Sequence, residues 1–101
     1  MKERQRLEIQ GKDIRLIWRQ KIKKATGRAG HDTCTIEVKR GLPEDRTIAT
    51  VIHEALHIID DELELKLDHD TINRLESALY AFLKKSGADL KPLIYEPEGN
   101  A

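Results

Sequence analysis

His53-Glu54-Ala55-Leu56-His57 places two imidazoles and a carboxylate within five residues. On an α-helix, residues four apart lie one turn apart on one face, with about 6 Å between Cβ atoms. That separation lets both imidazoles converge on one Zn²⁺ at ~2.0–2.1 Å each. Glu54 lies about 100° round the helix, beside such an ion without binding it. From there it can take a proton from a metal-activated water. The chemistry implied is metal-assisted hydrolysis.

The surrounding pattern supports a helix over about residues 44 to 64. Stepping by about 100°, Ile48, Val51, Ile52, Ala55, Leu56, Ile59 and Leu63 share one apolar sector, and His53 and His57 lie opposite it. A helix buries one stripe, so the histidines should face a cleft. A catalytic zinc typically has three protein ligands and one open position. Asp60 and Asp61 are carried past the metal by the advance of the helix, about 5.4 Å per turn; they could instead recruit the cation or orient a histidine. The expected third ligand is Glu76, on a second helix over residues 69 to 86. There it flanks a stripe of Ile72, Leu75, Leu79, Phe82 and Leu83. A carboxylate at such an edge is costly unless something compensates it, and a metal would. His69, at the start of that helix, is the rival third ligand, read here as an exposed first-turn histidine.

The HExxH stretch, the eighteen residues 58 to 75 and then Glu76 resemble the gluzincin zinc metallopeptidases. That group includes the thermolysin-like enzymes and zinc aminopeptidases, and in size the chain is most similar to the minigluzincins and small phage-type HExxH proteins. Residues 74 to 81 resemble the third-ligand helix loosely, without the Asn often found just before the ligand. The resemblance implies Zn²⁺ as cofactor, His53, His57 and Glu76 as ligands, Glu54 as general base and a peptide or protein as substrate. It further implies a Tyr or His that stabilises the oxyanion, for which Tyr95, Tyr80, His69 and His31 are candidates. It also implies that the strand before the zinc helix is an edge, with Thr35, Ile36 and Glu37 holding an extended peptide by main-chain hydrogen bonds.

The elements that must position these residues are few. The chain has 101 residues, 39% hydrophobic and 4% aromatic, which fits one domain with a modest core. Leu7-Glu8-Ile9 reads as a short strand. Ile14, Leu16 and Trp18 alternate with Arg15, Ile17 and Arg19 as a second, although a helix through Ile14, Ile17, Trp18 and Ile22 fits almost as well. Residues 23 to 30, with two glycines, read as a loop. Residues 34 to 39 read as a third strand, with Cys34, Ile36 and Val38 inward and Thr35, Glu37 and Lys39 outward. The fold class expected is α+β: a small three-stranded sheet, the zinc-binding active-site helix and a second packed helix. Residues 1–87 form the domain and 88–101, with Pro92 and Pro97, an extended tail. That tail could add to the edge of residues 34 to 39 and bring Glu96 or Glu98 to the zinc.

No apolar run is long enough to span a membrane and no signal-like segment is visible. A single cysteine, Cys34, fits a reducing compartment, so the cytoplasm is the expected location. Residues 1 to 28 carry ten Lys/Arg against three acids, and the rest eight against fifteen. The expected arrangement sets basic strands against acidic helices within one fold, which makes nucleic acid an unexpected partner. The alternative is a non-enzymatic module with structural or absent zinc, engaging nucleic acid or a protein through the basic N-terminal region.

Overall fold

A computed structural model describes residues 7–30 and 32–94. The order is β1 (Leu7–Ile9), β2 (Lys12–Arg19), β3 (Gly27–Gly30), β4 (Thr35–Lys39), α1 (Glu44–Leu63), α2 (His69–Lys85) and a 3₁₀ turn (Lys91–Ile94). This is an α+β fold in which two packed helices follow a mixed sheet of four strands, one more than the sequence suggested. The sheet order is β1-β2-β4-β3. β2 and β4 run parallel, with Leu16 opposite Ile36 and Trp18 opposite Val38; β1 and β3 are antiparallel to their neighbours.

The additional strand is Gly27–Gly30, which the glycines marked as a loop. β4 therefore has a neighbour on each side and is not an edge. Thr35, Ile36 and Glu37 cannot offer their backbone to a peptide, because β2 and β3 already use it. The outer strand on this side is β3. Cys34 precedes β4 with a left-handed backbone (φ 55°), and it packs partly buried against the core. Thr35, expected outward, is buried beside Thr33, their hydroxyls 2.8 Å apart.

Alternation in the strands directs Ile14, Leu16, Trp18, Ile36 and Val38 to one face, where they meet Val51 and Ile58 of α1. A second apolar cluster, Ile48, Ile52, Leu56 and Ile72, joins α1 to α2. α1 thus lies between the sheet and α2. Its Thr47, Thr50 and Glu54 are buried as well, on the side where β3 crosses. Gly27 allows that close crossing: a Cβ there would stand 2.4 Å from Thr50 Cγ2 and 3.2 Å from Glu54 Cγ.

The helices end where local chemistry dictates. Asp68 caps α2 by accepting from the Thr71 amide at 2.7 Å. Asp60 accepts from the Leu67 amide at 3.1 Å and pins the connection between the helices. Leu93 and Ile94 of the 3₁₀ turn pack against both apolar clusters, so this part of the expected tail is folded onto the core. Tyr95, Glu96 and Glu98 lie outside the described residues. Among those described, no helix is long and apolar enough to cross a membrane.

Candidate metal centre

α1 and α2 form an antiparallel hairpin, as their cross-contacts show in reverse order. Asp45 meets Tyr80 and Lys84, His53 meets Glu76, and His57 meets His69. His69 and Glu76 are seven residues apart, almost two full turns, and therefore share one face of α2. That face looks at the face of α1 carrying His53 and His57.

His53 Nε2 and His57 Nε2 are 3.2 Å apart. Two donors on a tetrahedral zinc at ~2.0–2.1 Å are separated by about 3.3 Å. The pair thus has the spacing of two ligands on one ion. His69 completes the group: one ligand atom from each of the three histidines lies within 4.8 Å of the others. His69 is exposed and stands at the first position of α2. Residues His53, His57 and His69 could hold a metal ion.

Glu76 occupies a different place from the one its spacing suggested. Its Oε1 lies 2.9 Å from Nδ1 of His53. A carboxylate only accepts, so Nδ1 carries the proton and Nε2 presents its lone pair to the site. Ring nitrogens point away from each other, and a carboxylate on Nδ1 is remote from an ion on Nε2. Such a contact suits a carboxylate that orients a metal-binding histidine, and the group of described residues that could hold an ion is completed by His69.

Glu54 is 9% exposed, and no group among the described residues donates a hydrogen bond to it. Burial pushes its carboxyl above the ordinary range, opposed by His53 and His69 and reinforced by Glu76. His57 is shifted down, first by burial and then by the neighbouring His53 and His69, with Asp60 and Asp61 opposing. The shift favours the neutral imidazole that a metal requires.

The other expected site residues separate from this centre. The Tyr80 hydroxyl donates to Asp45 Oδ1 at 2.6 Å, some eleven residues and ~16 Å along α2 from His69. It braces the Asp45 end of the hairpin. His69 stands in the three-histidine group, while His31 and Tyr95 lie outside the described residues. No protein-family model, curated protein or solved structure matches the chain.

Proposed function

We propose that the protein is a zinc-dependent hydrolase of peptide bonds, with His53, His57 and His69 as ligands and Glu54 as general base. The observation that carries the reading is the paired Nε2 atoms at 3.2 Å, with His53 locked in the ligand tautomer by Glu76. His53, His57 and His69 would hold the ion as three neutral protein donors, the number typical of catalytic rather than structural zinc. Bound there, Zn²⁺ would supply the Lewis acidity that polarises a carbonyl and makes water nucleophilic near neutral pH.

The chain's own part centres on Glu54. It follows His53 directly on α1 and sits under β3 in a poorly hydrated spot. Burial raises its proton affinity toward the working pH, which suits a group that must both take a proton and return it. It takes one from the attacking water and passes it to the leaving amine. Substrate would be held by the outer edge of β3, whose residue Gly27 brings that strand against Glu54. An extended peptide adding to this edge gains main-chain hydrogen bonds with little side-chain selectivity.

Metal analysis paired with a peptide-library cleavage assay tests the proposal. Wild type should hold about one zinc per chain and cleave, whereas Glu54→Ala should hold zinc and fail to cleave. Zinc-loaded wild type without hydrolysis of any peptide would refute the enzymatic reading.

A further inference from the structure

The charge of this molecule is segregated in space. Arg19 ends β2 and Lys39 ends the parallel β4, so both stand at the same end of the sheet. The Arg40 amide donates to the Arg19 carbonyl at 2.8 Å, and the Lys39 amide to the Thr26 carbonyl at 2.9 Å. Those bonds stitch the segment between β2 and β3, with Lys21, Lys23 and Lys24, onto the same end, and Arg28 follows on β3. Lys21, Lys23, Lys24, Arg19 and Arg28 are exposed. The single acid within these stretches is Glu37. The opposite end is acidic: Lys12, which opens β2, pairs with Glu62 near the end of α1, beside Asp60, Asp61 and Glu64. Eight residues of β2 separate the two ends, ~23 Å at strand rise. Strand-to-helix neutralisation is seen at the acidic end, in the Lys12–Glu62 pair.

Two details indicate what the basic end fits. Arg19 Nε and Arg28 Nη2 both approach one oxygen, Oε1 of Glu37, at 3.5 and 2.8 Å, so the two guanidiniums are spaced to share a single anionic oxygen. Between Arg19 and Ala25 the one apolar side chain, Ile22, is buried, which leaves no hydrophobic group to insert into a lipid surface. Trp18 faces the core, so no aromatic is offered for stacking on bases.

We infer that the basic end of the sheet, formed by Arg19, Lys21, Lys23, Lys24, Arg28 and Lys39, docks the phosphate backbone of a nucleic acid without reading its sequence. Cations on a flat, exposed end bind by releasing counterions from the polyanion. The acidic end is repelled and keeps the metal-bearing half of the hairpin turned away from the backbone.

Fluorescence anisotropy with a labelled 20-base-pair DNA duplex tests this on the full chain. Wild type should bind at 50 mM salt, with log affinity falling linearly against log salt. The combined Lys21→Ala, Lys23→Ala, Lys24→Ala variant should lose at least about tenfold in affinity, with a slope smaller by roughly 2–3. Glu37→Gln should tighten binding a few-fold by releasing both arginines. Lys66→Ala, in the turn that follows the acidic end of α1, should change nothing, and circular dichroism should show each variant folded. Absent binding at 50 mM salt, an unaltered triple variant, or retention on phosphatidylserine vesicles without retention on DNA would each overturn the inference.

Discussion

Oε1 of Glu76 lies 2.9 Å from Nδ1 of His53, on the opposite side of that ring from the Nε2 that faces His57. This bond makes Glu76 a positioning residue. Removing it frees the ring and its tautomer, a change that typically weakens metal affinity 10–100-fold. Glu76→Ala should fall in that range in a chelator competition, and Glu76→Gln, whose amide carbonyl still accepts, should lose less. His69→Ala removes a ligand and should cost more. The reverse order would restore Glu76 to the coordination sphere.

The metal should also hold the fold together. Ile72 is the only residue of α2 that is fully buried among the described residues, so little apolar burial fastens this helix to α1. An ion bridging His53 and His57 to His69 adds a second fastening. At a free zinc concentration 100-fold above Kd, the stabilisation is ~2.7 kcal/mol, or roughly 10–20 °C in Tm for a domain of this size. Thermal melts with zinc and with excess chelator measure it, and in His69→Ala the difference should largely disappear.

Much of this was legible in the sequence and some was not. Helix spacing located α1 and α2 to within a residue. His69 and Glu76 share one face of α2, so the sequence offered both as third ligand. The turn joining the helices, with Glu64 and Lys66 in left-handed backbone, sets which of the two comes level with which histidine. No periodicity encodes that register. β3 was missed because its glycines look like breakers, whereas Gly27 is there to let α1 approach. Without β3, β4 looked like an edge.

Gly27 supplies a test of that packing. In Gly27→Ala the new Cβ meets Thr50 Cγ2 and Glu54 Cγ and must displace one or both. Hydrolysis should drop by about tenfold or more, the penalty of a general base moved by a fraction of an ångström, with zinc content unchanged. Adding Thr50→Ser removes the obstructing methyl and should restore part of the activity, which kcat measured on both variants will show.

Glu37 should leave an acid-sensitive signature in stability. A hydrogen bond from Arg28 holds its carboxyl below the ordinary range against an opposing burial effect, with a lesser contribution from Arg19. A lowered carboxyl stabilises the fold above its unfolded-state value and loses that contribution as pH falls through the folded value. Wild type should therefore exceed Glu37→Gln in urea stability at pH 7, by about 1 kcal/mol or less, and the gap should close below about pH 4.

The three-histidine centre is tested most directly by X-ray absorption at the zinc edge of the loaded protein. The account predicts three imidazole nitrogens at ~2.0–2.1 Å plus one light-atom ligand, with one imidazole lost in His69→Ala and none in Glu76→Gln. Two imidazoles with a carboxylate that disappears in Glu76→Gln would contradict it.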